Sequence, residues 1–311
     1  MGGPDAEAGV VNDDGQVVGV SYVNSTPNSV TGFPTLHPFL WHKGRMKDLG
    51  TLCGFGSPGS ATLPPTVGVS GLNNRGQVIG VSPLAGDLIA HPFLWDDGNL
   101  IDLNVQSAGL ISTADAINDA RQIVGNANFP NGASDAYLWQ DGVFRDLGTL
   151  SGDCFSEAFA INSRGQVVGQ SYSCVSNTVR TFLWESGSIV DLNNLIPPDS
   201  GFELIEALAI NDRGEIGGIA DPPGCANLDD ADCGHAFLLI PCDENHASVE
   251  GCNYSEVEES VSAVRAGSRA VAQNPTTTNP WIPGRVNPMM RSFGRRSMPW
   301  YRNLGVQPPS K

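Results

Sequence analysis

The stretch ALAINDRGEIGG, Ala207–Gly218, runs an apolar segment into Asn-Asp-Arg-Gly and leaves as a second apolar segment. Two short strands around a tight turn read this way. The Asn side chain bonds its own backbone and opens the turn, and the Gly takes a left-handed position behind it, forming a bulge that sets strand twist. Four more versions stand upstream: GVVNDDGQVVG, GVSGLNNRGQVIG, ADAINDARQIVG and AFAINSRGQVVG. Anchored on Asn12, Asn73, Asn118, Asn162 and Asn211, the copies are spaced by 61, 45, 44 and 49 residues. Strand patterning at such a period points to propellers or related arrays. Gly15, Gly76, Gly165 and Gly214 hold the left-handed turn position; the third copy carries Arg121 there, which predicts a strained turn or one of another type.

A second hairpin follows each of the first four copies: HPFLWHKGRMKDLGTL (37–52), HPFLWDDGNLIDLNV (91–105), AYLWQDGVFRDLGTL (136–150) and TFLWESGSIVDLNNL (181–195). An aromatic-rich strand ends in Trp, Gly44, Gly98, Gly142 or Gly187 closes the turn, and a strand returns to Asp-Leu. Two hairpins make four strands, the content of one propeller blade. A single blade leaves an apolar face bare, and stacking blades buries those faces against each other. The sequence therefore predicts an all-β fold, a β-propeller of about five four-stranded blades over residues 1–240, with a β-solenoid-like stack as the alternative. After CGHAFLLIP the fifth copy has no Trp, turn Gly or Asp-Leu, so the last blade is expected to be incomplete. Its closing strand would come from residues 1–7 or from sequence upstream; otherwise the ring stays open, with exposed strand edges.

The combination HPFLW, DLGTL and AIN-x-x-G resembles the HAF repeat, whose His-Ala-Phe stands here at His235-Ala236-Phe237. The resemblance covers about residues 8–240 and implies a secreted bacterial repeat protein. It carries no established activity and no catalytic residue.

Composition agrees with a turn-rich β protein: 40% of residues are hydrophobic, 16% charged, and Gly and Pro number 37 and 22. The formal net charge is -16, concentrated before residue 241; from Arg285 onward there is no acidic residue. An acidic body of this kind lacks the clustered Lys and Arg that nucleic acid requires. No apolar run reaches the ~18 residues of a membrane span. Met1 leads into GGPDAEAG, which is no signal peptide, and the first copy begins at once, as in a mature form or a fragment.

Seven cysteines are present. Pairing Asn162 with Gln166 across the fourth turn carries the register back to Cys154 opposite Cys174, within disulfide reach. Cys225 and Cys233 flank a short loop, and Cys242 and Cys252 bracket the next. Three local bridges would leave Cys53 alone and would indicate an oxidising compartment. The alternative, zinc held by these cysteines with His235 and His246, lacks any Cys-x-x-Cys spacing.

The candidate chemical residues repeat with the blades. His37, His91 and His235 share one position, with Asp135 and Thr181 near it in the other copies, and a position used three times reads as structural. The Asp of Asp-Leu recurs as Asp48, Asp102, Asp146 and Asp191 and is expected to accept backbone N–H groups at strand ends; a cation-binding or sugar-binding ring is the alternative. Trp41, Trp95, Trp139 and Trp184 read as core between blades before they read as a sugar face. Asp229, Asp230 and Asp232 are weak cation-binding candidates, without the alternating spacing of a calcium loop. No catalytic, cofactor or resident-metal motif is found.

Past the repeats, residues 241–272 form a disulfide-containing extension with a short helix, capped by Ser255 with Glu258 and striped by Val257, Val261 and Val264. Residues 273–311, rich in Pro and Arg, read as a disordered tail. The function expected is a non-enzymatic binding or interaction module, monomeric, extracellular or periplasmic, with a protein or glycan partner, no cofactor and no nucleic acid. A glycan hydrolase or lyase and a passive envelope spacer are the alternatives. Asymmetric places, where a unique site would lie, are Ser25–Leu36, Cys53–Pro65 and the Cys225–Cys233 loop.

Overall fold

The computed structural model describes residues 2–3, 5–27, 34–52, 67–83, 90–103, 113–129, 131–196, 200–222 and 234–241. Strands come in groups of four. Blade 1 holds β1 (Ala6–Val11), β2 (Val17–Tyr22), β3 (Leu36–His42) and β4 (Arg45–Asp48). Blade 2 holds β5 (Gly68–Leu72), β6 (Val78–Pro83), β7 (Ala90–Asp96) and β8 (Asn99–Asp102). Blade 3 holds β9 (Ala116–Ile117), β10 (Ile123–Asn128), β11 (Ser134–Gln140) and β12 (Val143–Gly148). Blade 4 holds β13 (Phe155–Ile161), β14 (Val167–Tyr172), β15 (Val179–Glu185) and β16 (Ser188–Asp191), followed by a 3-10 turn at Leu192–Leu195. Blade 5 shows β17 (Glu203–Ile210), β18 (Ile216–Asp221) and β19 (His235–Leu239). Pairing within each blade is antiparallel, in sequence order.

The first strands adjoin one another in succession, β1 on β5, β5 on β9, β9 on β13 and β13 on β17. Inner strands side by side, with each sheet running outward from them, make the fold a β-propeller, as the repeat predicts. Four apolar clusters lie at the four junctions between successive blades. The first joins Val18 and Leu40 to Val78, Phe93 and Trp95; the last joins Val168 and Leu192 to Leu204, Ala207 and Ile216. The core thus lies between the sheets, where each blade's bare face meets the next.

Both turn types follow from local chemistry. In the first hairpin Asn12 N–H donates to Gln16 O and Gly15 N–H to Asn12 O, with Gly15 at φ 70°. In the second, Lys43 and Gly44 take φ 48° and 79°, as do Asp97-Gly98, Asp141-Gly142 and Ser186-Gly187 with similar angles. Two consecutive left-handed residues define the type I′ turn, whose twist matches the strands it joins.

Two expectations are corrected and one is narrowed. Of the two readings of the third turn the strained one holds: Arg121 keeps the common turn type, adopting φ 63° with its N–H donating to Asn118 O as the glycines do. Ion pairs with Asp96 at 3.2 Å and Asp141 at 2.8 Å hold its side chain, offsetting the backbone cost. The described residues among 1–7 do not close blade 5, for Gly3 N–H donates to Tyr22 O and β1 pairs with β2. Trp41 does not share the burial of its counterparts, being 38% exposed where Trp95, Trp139 and Trp184 are each 5%. It lies on the face of blade 1 turned away from blade 2, whereas the other three each face the preceding blade.

Candidate functional site

The asparagines that anchor the repeat join one blade to the next. Each Asn Oδ1 accepts the backbone N–H four residues on, at 2.9–3.0 Å. In the first four copies Nδ2 then reaches the following copy: Asn12 to Asn73 O at 2.9 Å, Asn73 to Asn118 O at 3.0 Å, Asn118 to Asn162 O at 2.9 Å and Asn162 to Asn211 O at 3.0 Å; Asn211 Nδ2 donates to Glu215 instead. The next residue adds a second rung, with Asp13 N–H on Asn74 Oδ1, Asn74 N–H on Asp119 Oδ1 and Ser163 N–H on Asp212 Oδ1. That last bond holds the Asp212 carboxyl below its ordinary range. These residues are scaffold, and a ligand site must lie where the repeat breaks.

The cysteines fall the same way. Cys154 and Cys174 form a disulfide with Cα atoms 5.8 Å apart. The register read from the turn holds through Ala160↔Val168, but a bulge between Ala158 and Ala160 shifts it by one, so Phe155 faces Tyr172. The bridge still closes because Cys174 lies one step past the paired residue. Cys53, Cys225, Cys233, Cys242, Cys252, Asp229, Asp230 and Asp232 lie outside the described residues, as do the helix and disordered tail expected beyond residue 241.

Two of the three histidines at the shared position, His37 and His91, prove to be partners of the Asp of Asp-Leu. His37 Nδ1 lies 2.9 Å from Asp48, and His91 Nδ1 lies 3.1 Å from Asp102. In blade 4 the counterpart is Arg180, not Thr181: its guanidinium lies 3.3 Å from Asp191 and 2.8 Å from Asp153, contacts that raise its pKa. The strand-end role is present as well, since Asp48, Asp146 and Asp191 accept N–H bonds from Gly50, Gly148 and Asn193. The pairing was legible as a constant separation of 11 residues between cation and Asp.

Blade 3 breaks that rule. Asp135 stands where the cation should be, 11 residues before Asp146 like the others. It is 6% exposed, and its Oδ1 has no hydrogen-bond partner among the described residues. Burial, and then the charge of Asp146, push its carboxyl up to about 7. Asp146 is itself raised by burial, against the N–H of Gly148.

A second departure lies on the inner strands of blades 3 to 5. Asp115, Glu157 and Glu206 come from three successive blades, preceding Asn118, Asn162 and Asn211. Burial pushes Asp115 up to about 7; a hydrogen bond from Thr113 opposes this, and the charge of Glu157 adds to it. Glu157 is raised mainly by burial, against a bond from Gln170 and with the charge of Glu206. Around them Thr113 Oγ1 lies 2.6 Å from Asp115 Oδ2, the Tyr137 hydroxyl donates to Thr113 O at 2.6 Å, and Gln170 Nε2 donates to Glu157 Oε2 at 3.2 Å. Gln170 is 1% exposed and its Oε1 has no partner among the described residues. Tyr172, stacked on Phe155 with centroids 4.3 Å apart, feels both glutamates and is raised chiefly by burial. Sequence reasoning missed this row: Glu157 and Glu206 each stand five residues before their Asn, a match legible along the chain, whereas Asp115 stands three before its own and joins them only because the inner strands lie side by side.

A testable consequence concerns pH. Asp115 binds its proton more tightly folded than unfolded, so stability falls as pH rises from about 4 through about 7. Asp115→Asn keeps an acceptor for Thr113 and removes the charge. At pH ~8 it is expected to be more stable than the parent chain by about 2 kcal/mol, a gain that vanishes near pH 4. Thermal melts across that range measure it, and a pH-independent difference would refute it.

Among the described residues, no helix is long and apolar enough to cross a membrane, and no group of three or more His, Cys, Asp or Glu is placed to hold a metal ion. No protein-family model matches the chain, and neither does any curated protein. Three solved structures are similar to it. They are the β-propeller domain of the Trilobed protease from Pyrococcus furiosus, described as having an open velcro topology (12% identity, 63% of this chain and 56% of that one, TM-score 0.43), TolB from Acinetobacter baumannii (10%, 74% and 50%, TM-score 0.44), and a putative TolB from Agrobacterium tumefaciens (16%, 58% and 62%, TM-score 0.38). The chain matches less than two thirds of each of them.

Proposed function

We propose that this chain is a non-enzymatic binding module whose ligand is a protein or peptide presenting basic groups to the inner-strand carboxylates. The observation that carries the reading is the convergence of Asp115, Glu157 and Glu206 from three blades, with Glu157 accepting from the buried Gln170, whose Oε1 has no partner among the described residues. A folded chain holds three mutually repelling carboxylates together at a cost in stability, and a cationic ligand repays that cost on binding. The net charge of -16 adds long-range attraction for such a partner. The disulfide supports work outside the cytoplasm, as the resemblance to HAF repeats implies.

Binding of arginine-rich peptides, followed by calorimetry at low and physiological salt, tests this reading. The triple variant Asp115→Asn, Glu157→Gln, Glu206→Gln is expected to lose roughly tenfold or more in affinity. Neutralising the exposed Asp13, Asp119 and Asp212 to Asn should cost far less. Equal losses in both variants would mean general charge attraction and would overturn the reading. One observation favours a second function, acid–base chemistry on glycans: a carboxyl held near neutrality, as at Asp115, is what a general acid requires. A glycan array run alongside a hydrolase and lyase screen separates the two, turnover abolished by Asp115→Asn supporting the enzyme.

A further inference from the structure

We propose that Asp135 and Asp146 of blade 3 bind a small hard divalent cation of the Ca2+ class. In blades 1, 2 and 4 the start of the third strand supplies a positive or protonatable group, His37, His91 or Arg180, to the Asp that ends or nearly ends the fourth strand. Up to the pair that includes this Asp the register is common to all four blades, and in blade 3 a bulge beyond it sets Ala136 opposite Gly148. Asp146 faces Tyr137, two residues beyond Asp135, as Asp48 faces Phe39, Asp102 faces Phe93 and Asp191 faces Phe182. The same backbone relation therefore brings the Asp135 and Asp146 carboxyls together, with no positive side chain at that position.

Three features define the missing partner. It is cationic, because blades 1, 2 and 4 each put a group able to carry positive charge beside this Asp. It is small, because Asp135 is only 6% exposed, which leaves no path for the long side chain of a second macromolecule. It prefers oxygen, because both donors are carboxylates with no His or Cys beside them in this blade, a set suited to Ca2+ and poor for Zn2+. Asp146 Oδ1 already accepts the Gly148 N–H at 2.8 Å, while Asp135 Oδ1 has no partner among the described residues and offers a lone pair to an ion. Ca2+ takes about six to eight oxygens, so backbone carbonyls and water complete the shell. With only two carboxylates the affinity is weak, with Kd on the order of a millimolar, in the range of extracellular calcium modules. This site is separate from the inner-strand row, and either can fail without the other.

The experiment uses the full chain and Ca2+ itself, in buffer whose ionic strength is held constant with KCl. At about five times Kd, Ca2+ is expected to raise Tm by roughly 2–4 °C, and Tb3+ should give aromatic-sensitised emission that Ca2+ displaces. Asp135→His rebuilds the pair of blades 1 and 2. It should lose both responses while melting no lower than the parent chain without Ca2+. Asp135→Asn, which changes the shape least, carries the same test should the histidine variant fail to fold. A parent chain without Tm shift or Tb3+ emission would overturn the proposal. So would responses that persist in Asp135→Asn, which would assign them to screening of the acidic surface.

Discussion

Gly169→Ala is expected to destabilise the chain by roughly 3 kcal/mol, a fall in Tm of about 6–12 °C. The cause is steric. Gly169 pairs with Ala158 beside the bulge of β13, which pushes the inner-strand backbone across the neighbouring strand. A Cβ at Gly169 would overlap the Glu157 carbonyl oxygen and stand 2.9 Å from Ala158 Cα, with no flexible side-chain end to give way. The same overlap recurs in every blade, from Gly19 on Glu7 O through Gly80 on Gly68 O and Gly125 on Thr113 O to Gly218 on Glu206 O. That is why each copy of the motif ends in Gly. Gly15→Ala gives the contrast: at φ 70° with open space around the site, it meets conformational strain alone and is expected to cost about 1 kcal/mol. Urea or thermal melts of the two variants decide the matter. A Gly169→Ala loss no larger than that of Gly15→Ala would show that the inner strand does not approach as described.

Removing the Cys154–Cys174 bridge is the other large effect. It closes a separation of 20 residues around the first hairpin of blade 4, and loop-closure entropy for such a span is worth about 3 kcal/mol. The double variant Cys154→Ala, Cys174→Ala, or the parent chain in strong reductant, should melt about 6–12 °C lower. Agreement between the two would assign the effect to this bridge; a larger loss in reductant would reveal further disulfides. Blade 4 shares apolar clusters with both neighbours, so the loss should appear as one cooperative transition.

Period, patterning and turn residues were enough to read the array of blades, because each depends on a few neighbouring residues. Asn and Gly at fixed offsets make the same turn in every copy, and strand alternation leaves each sheet a bare face that only another sheet can cover. The ion pairs were half legible: a constant separation of 11 residues runs along the chain, but blade 4 fills the position with Arg180 rather than His, which breaks the pattern of residue type. Even the disulfide was reached through a register that slips by one at the bulge.

Other features had no expression along the chain. Asn12 and Asn73 are 61 residues apart, and nothing local announces that one donates to the other's backbone. The burial of Trp95 beside the exposure of Trp41 depends on which face has a neighbouring blade. Asp115 holds a different place in its copy from Glu157 and Glu206, and the three perturb each other only because the inner strands lie side by side. The sequence by itself determined the blade, since turn chemistry and strand period act over a handful of residues. Tertiary structure decided what the blades do to one another, because hydrogen bonds, burial and charge act over ångströms in space regardless of separation along the chain.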